Sequence, residues 1–291
     1  MQPQASFDLW SDVQQILEFH FMQNAIVAGT IVAVMAGLIG YFMVLRGQSF
    51  AGHTLSQVGF PGAAGAALVG APPLAGLLVF CTAAALAIAG LSDPRARERR
   101  AESAAIGAIL AFALALGFLF ASLFAGNVQH VYDYLFGTFV GISDGQVTSL
   151  LVVAAVAVAA LTAVGRPLLF ATVDPDVAAA RGVPVRALAV AFLVLLGLAV
   201  AMCALITGTL LVFALLVAPA AAAQQLTVRP LLGLALSVAI ALGVTWVGMG
   251  IAYFTIYPIG FFITSLAFAV FLVARATRYL RGVAPRLLVR A

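Results

Sequence analysis

Residues 231–254 read Leu231-Leu-Gly-Leu-Ala-Leu-Ser-Val-Ala-Ile-Ala-Leu-Gly-Val-Thr-Trp-Val-Gly-Met-Gly-Ile-Ala-Tyr-Phe254, with Arg229-Pro230 just before them. No residue in this run is charged, and its few hydroxyls are spaced singly. A hydrocarbon layer about 30 Å thick needs roughly 20 such residues in a helix. The run is therefore long enough to cross a bilayer. The same reading applies to 22–45, 53–70, 73–91, 104–125, 143–164, 187–203, 207–226 and 258–275, the second and sixth segments being short. Apolar residues make up 64% of the chain and charged ones only 8%, against roughly 25% charged in soluble domains. The expected fold is all-α, a polytopic transmembrane helix bundle of about eight to nine spans. A single membrane domain is expected over 1–291, with an interfacial N-terminal segment at 1–20, a loop at 170–186 and a tail at 276–291.

Charge sets the orientation. Lysine is absent, and all 14 basic residues are arginine. Arg46, Arg95, Arg97, Arg99, Arg100, Arg166, Arg181, Arg186, Arg229 and the C-terminal Arg275, Arg278, Arg281, Arg286 and Arg290 all follow odd-numbered segments. Cytoplasmic loops collect basic residues, so the N-terminus is expected outside and the C-terminus in the cytoplasm. The net charge of +4 thus reports topology rather than nucleic-acid binding. Residues 1–15 lack the basic region of a signal peptide. Phe7, Trp10, Val13 and Leu17 recur at helical spacing and suit an interfacial helix. Without lysine no Walker A loop can be written, so ATP, if used, must bind another chain. Cys81 and Cys203 lie in apolar runs and read as packing residues.

Polar groups enter a membrane segment in Arg46-Gly-Gln-Ser-Phe-Ala-Gly-His53-Thr-Leu-Ser-Gln57-Val-Gly-Phe-Pro61-Gly62. His53 and Gln57 are one helical turn apart and share a face. Pro61 has no N–H, which frees the carbonyl of Gln57. Ionisable groups inside a membrane are usually functional; the plainer reading is a helix cap or a satisfied neighbour. A second stretch, Asp174-Pro175-Asp176-Val-Ala-Ala179-Ala-Arg181-Gly182, carries a start signal in Asp174 and Pro175 and a stop signal in Gly182. It suits a short cytoplasmic helix that presents a face to a partner, where the alternative is an ordinary surface loop. A third, Asn127 to Gly137, holds His130 and Asp133 three residues apart. Such a pair can bind or guide a divalent cation and equally forms a hydrogen-bonded surface pair. Gly141-Ile-Ser-Asp-Gly145 has its serine misplaced for a nucleophile elbow, no H-E-x-x-H occurs, and an intramembrane enzyme is the more distant alternative.

In order and spacing, these stretches resemble the zinc/manganese/iron (ABC-3 type) permeases of ABC transporters over nearly the whole chain. The resemblance runs through Phe21 to Gly29, Val44-Leu-Arg46, Gly52 to Gly62, Glu102-Ser103-Ala-Ala-Ile-Gly107, Tyr134-Leu-Phe-Gly137, Asp174 to Val185, and Gly208 to Ala221 with its Pro219-Ala-Ala. It implies an importer-type permease in a bacterial cytoplasmic membrane, embedded in lipid. It also implies a homodimer of permeases, a dimer of cytoplasmic ATPase subunits, and an extracytoplasmic protein that delivers metal. Asp174, Pro175, Asp176, Ala179, Arg181 and Gly182 would then form the coupling helix that docks on the ATPase. His53 and Gln57 would line the pore, with His130 and Asp133 at its outer entrance. No tightly bound cofactor and no catalytic residue are implied, since the metal is cargo. The family carries Asp where this chain has His53, and His where it has Gln57. Imidazole suits zinc and iron, and oxygen-rich sites suit manganese, so zinc is expected ahead of manganese or iron. Transport of a metal chelate, a siderophore or haem is the nearer alternative.

The orientation is open to a direct test. A cysteine introduced at position 2 is expected to react with a membrane-impermeant maleimide added to intact cells, and one at position 288 is not. Labelling of position 288 from outside overturns the orientation.

Overall fold

The computed structural model describes residues 19–91, 99–124, 142–255 and 257–288. Among them every regular element is helical: α1 His20–Leu45, α2 Ser49–Leu68, α3 Pro73–Leu91, α4 Arg99–Leu123, α5 Asp144–Val173, α6 Pro175–Ala180, α7 Val185–Thr207, α8 Thr209–Leu226, α9 Pro230–Tyr253 and α10 Ile259–Leu288. Each apolar segment read from the sequence falls on one of these helices. Seven stretches are long and apolar enough to cross a membrane: His20–Leu45, Pro73–Leu91, Ser103–Leu123, Asp144–Val173, Val185–Ala204, Pro230–Tyr253 and Ile259–Leu280. A shorter apolar stretch, Val212–Leu226, lies in α8. α2 spans 20 residues, but its serines, glycines, His53, Thr54 and Gln57 dilute its apolarity.

Several ends differ from the sequence reading for local reasons. α5 runs nine residues past the expected stop at 164, straight through Pro167. A proline inside a helix removes one donor and crowds one carbonyl, and in membrane helices neighbours make up that loss. The segment expected as a loop over 170–186 therefore begins only at Asp174. α5 starts on a capping box, in which Ser143 Oγ accepts from Gln146 N and the Gln146 side chain accepts from Ser143 N. α10 continues to Leu288, so the first part of the expected tail is helix.

The described residues gather into two compact units, Leu45–Phe213 and Met1–Val44 with Ala214–Ala291. In the first, α2 packs against α3, α4 and α7, α3 also against α7, and α5 against α7. Lipid provides no hydrophobic force between helices, so close approach of small residues does this work. A Cβ on Gly62 would sit 2.6 Å from the carbonyl oxygen of Gly76, and a Cβ on Gly76 would fall on the carbonyl oxygen of Gly62. The two backbones touch where the side chains are missing. A Cβ on Gly117 of α4 would meet the ring of Phe60 at 2.6 Å.

The second unit uses the same device on α1. A Cβ on Gly37 would lie 2.6 Å from Val238 Cα of α9, and one on Gly40 would fall on the carbonyl oxygen of Leu216. Three hydrogen bonds add direction: Ser237 Oγ donates to Gly37 O at 2.8 Å, Gln224 Nε2 to Tyr41 O at 3.1 Å, and Trp246 Nε1 to Thr30 Oγ1 at 3.0 Å. Such bonds between membrane helices contribute about 0.6 kcal/mol each on average. Large apolar side chains such as Phe112, Val156 and Phe268 are exposed on the outside, as a surface solvated by acyl chains allows.

Gly62→Val is expected to drive α2 off α3 and to lower the melting temperature of the detergent-purified protein. Gly107→Ala, where an added Cβ meets nothing within 4 Å, is expected to hold or raise it, since alanine exceeds glycine in a helix by roughly 0.5–1 kcal/mol. Thermal melts that rank the two variants the other way contradict the packing described.

Candidate functional site

α2 carries the polar groups into the first unit. Between Ala51 and Ala64 every residue is buried except His53 and Gln57, which are half-buried. The two make an open stripe one turn long on an otherwise covered helix. Thr54, Leu55 and Ser56 between them are buried. The expected face-sharing of His53 and Gln57 is thus present in the helix.

The surroundings of His53 are mostly apolar. The Phe213 ring of α8 stands edge-on to the imidazole, with centroids 5.0 Å apart and an interplanar angle of 69°. This contact holds the imidazole plane without a polar bond. Ser56 Oγ donates to the carbonyl of His53 at 2.7 Å. His53 Nδ1 is buried and has no hydrogen-bond partner. Thr54 Oγ1 and Thr209 Oγ1 are buried and unpartnered as well. An unmade bond at a buried polar atom costs about 1–3 kcal/mol, so such atoms mark a place where a ligand could complete them. One turn on, Pro61 lies inside α2, and the carbonyl of Gln57 cannot receive its helical N–H. The stripe therefore offers an imidazole, a side-chain amide and a backbone carbonyl.

The described residues do not complete a metal site. Among the described residues no three His, Cys, Asp or Glu side chains converge to hold an ion. Cys81 Sγ lies 3.6 Å from the Leu55 carbonyl as a weak donor, and Cys203 is also a buried thiol outside any disulfide. Both serve packing. His130 and Asp133 lie outside the described residues.

The second candidate surface is α6. Asp174 closes α5, its N–H bonding to Phe170 O at 3.1 Å, and opens α6, its Oδ1 accepting from Val177 N at 3.0 Å. Pro175 takes the first helical position and Asp176 adds an acid in the first turn. At the other end Gly182 N donates to Ala179 O and Val183 N to Ala178 O, both at 3.0 Å. This is the paired bonding of a Schellman stop. It needs a left-handed residue, and Gly182 supplies it with φ +81°. Only Ala178 is buried; Pro175, Asp176, Val177, Ala179, Ala180 and Arg181 are exposed. The Arg181 guanidinium sits 5.9 Å from the centre of the Phe170 ring, which steadies the helix from behind. Six residues with both ends capped form a rigid knob with an apolar and acidic face.

Phe213 is a residue that sequence reasoning missed. It is one apolar residue among many in α8, and nothing local singles it out. The capping of α6, by contrast, follows the residues that signal it.

Comparison with known proteins places this geometry in context. A sequence model of the ABC 3 transport family matches residues 18–278. The manganese transport system membrane protein MntC of Halalkalibacterium halodurans is 31% identical over 245 residues, which cover 84% of this chain and 82% of that protein. The manganese import system permease protein ScaB of Streptococcus gordonii is 28% identical over 241 residues, covering 83% and 85%. Among solved structures, PsaBC from Streptococcus pneumoniae, in complex with Fab, includes a chain that superposes with a TM-score of 0.81 at 27% identity, covering 91% of this chain and 95% of that one.

Proposed function

The chain belongs to the ABC 3 transport family, and on that premise we propose that it imports a divalent first-row transition metal along a path lined by His53 and Gln57. As a member of that family it is a multi-pass permease subunit of an ABC transporter, a transport component and not an enzyme. In the proposed assembly the whole chain, 1–291, acts as one transmembrane domain in a bacterial cytoplasmic membrane. Two copies pair, a separate ATPase dimer docks on α6, and an extracytoplasmic binding protein hands over the metal.

The observation that carries the path is the stripe on α2. His53 and Gln57 are the two open positions on a covered helix, and a polar group within a span is costly unless it faces protein or water. A moving cation needs weak, incomplete coordination, because a full set of three or four strong ligands holds it. One imidazole and one amide from each of two copies would supply a soft, symmetric set. The exposed face of α6 supports docking, since the chain has no lysine from which to build its own ATP site.

Two metals compete for the cargo. Manganese comes first, on the names of MntC and ScaB. Zinc, expected from the residues alone, keeps one argument: the carboxylate of the family pattern is lost while an imidazole remains, and imidazole suits zinc and iron whereas carboxylate-rich oxygen sites suit manganese.

Uptake of manganese and zinc into vesicles carrying the assembled transporter decides both points. His53→Ala is expected to lower uptake of either metal by about tenfold or more, the scale of changes at metal-site residues. His53→Asp is expected to raise manganese uptake relative to zinc. Wild-type rates for both metals in His53→Ala would make His53 a structural residue.

A further inference from the structure

We infer that Arg46 is a positioning residue for energy coupling, the side chain through which the base of α6 holds the start of α2. The inference rests on the coupling and pore roles proposed above. It concerns residues of one compact unit, Leu45–Phe213.

Arg46 lies in the short link between α1 and α2, beside Gly47 with φ +68°. Its guanidinium reaches three helices. Nη1 donates to Thr172 Oγ1 of α5 at 3.0 Å, Nε donates to Gln48 Oε1 at 3.3 Å, and Cζ sits 5.4 Å from the centre of the Phe192 ring of α7. Gln48 is the N-cap residue of α2 and makes no side-chain capping bond. Its amide oxygen is given to Arg46 instead. The orientation of α2 at its first turn therefore depends on where the guanidinium is held.

Thr172 fixes that position. Its hydroxyl donates to Leu168 O at 2.6 Å, which turns a lone pair toward Arg46. Two residues on, Asp174 is at once the C-cap of α5 and the N-cap of α6. One shared residue leaves no slack between the helix proposed to dock on the ATPase and the hydroxyl that holds Arg46. From Gln48, whose carbonyl accepts from Gly52 N at 3.0 Å, five residues lead to His53. A displacement of α6 thus has a continuous path of backbone and hydrogen bonds to the stripe on α2.

The site is chemically unusual for a mere anchor. Arg46 is half-buried, burial pulls its pKa below the ordinary value, and among the described residues no carboxylate pairs with it. Its partners are neutral. A planar guanidinium can bond along two edges while stacking on a ring; an ammonium cannot.

The test uses the transporter assembled from this chain and its ATPase subunit, with manganese as the probe. The readout is metal ions taken up per ATP hydrolysed, alongside retention of the ATPase in a pull-down. Thr172→Val keeps the shape and loses the hydroxyl. It is expected to lower the ratio by roughly tenfold or more, the effect of one lost hydrogen bond to a charged group, while the ATPase stays bound. Thr172→Ser is expected to recover the ratio. Arg46→Ala should lower it too, and Arg46→Ala with Thr172→Val should be no worse than Arg46→Ala alone. A wild-type ratio in Thr172→Val, or effects that multiply in the double variant, overturns the inference; Thr172→Val decides even if Arg46→Ala fails to insert. Ala179→Arg tests the docking role of α6 separately. It should release the ATPase in the pull-down, and retention with normal uptake would refute docking without touching the Thr172 result.

Discussion

A backbone N–H or carbonyl left without a partner in hydrocarbon costs several kcal/mol, and apolar contact between helices gains nothing over contact with lipid. Both facts shape this chain. The first makes every described element a helix and lets prolines stay inside α2, α5 and α8 only where a neighbour or function tolerates the freed carbonyl. The second moves the work of assembly to places where backbones touch. Gly62 against Gly76, and Gly37 and Gly40 against α9 and α8, are such places. Where side chains are absent, dispersion and a few hydrogen bonds replace the hydrophobic effect that would hold a soluble core.

The same constraint makes α2 stand out. A helix that lives in lipid has little reason to carry a histidine, a glutamine, two hydroxyls and a proline within nine residues. The nitrogen of His53 and the hydroxyl of its neighbour Thr54 are buried and unpaired, as is that of Thr209, which packs against α2 at Gly59. These groups are tolerable if something polar passes by. A cation that must enter and leave needs ligands that are present but not sufficient, and one chain provides no complete site among its described residues. Incompleteness in one copy is what a path shared by two copies would look like.

Much of this was legible from residue order. Hydropathy located each long helix because no other solvent suits such segments, and capping chemistry located α6 because Asp174, Pro175 and Gly182 act on their immediate neighbours. The ends of α5 and α10 were less legible. The apolar run ends at 164, yet the helix continues through Pro167, and Arg275 marks where the hydrocarbon is expected to end but not where hydrogen bonding does. Long-range partners left no mark at all. Thr172 is 126 residues from Arg46, and Phe213 is far from His53 in sequence. Only the fold of the unit Leu45–Phe213 brings them together. The division into two compact units is likewise a property of contacts, invisible in hydropathy.

The most direct measurement is the position of the metal itself. Crystals of the assembled transporter soaked in manganese, with diffraction recorded at the manganese absorption edge, would give an anomalous peak for each bound ion. A path through α2 predicts an intramembrane peak within direct coordinating distance of a His53 nitrogen, with Gln57 beside it. A strongest intramembrane peak away from α2, with none near His53, would contradict it.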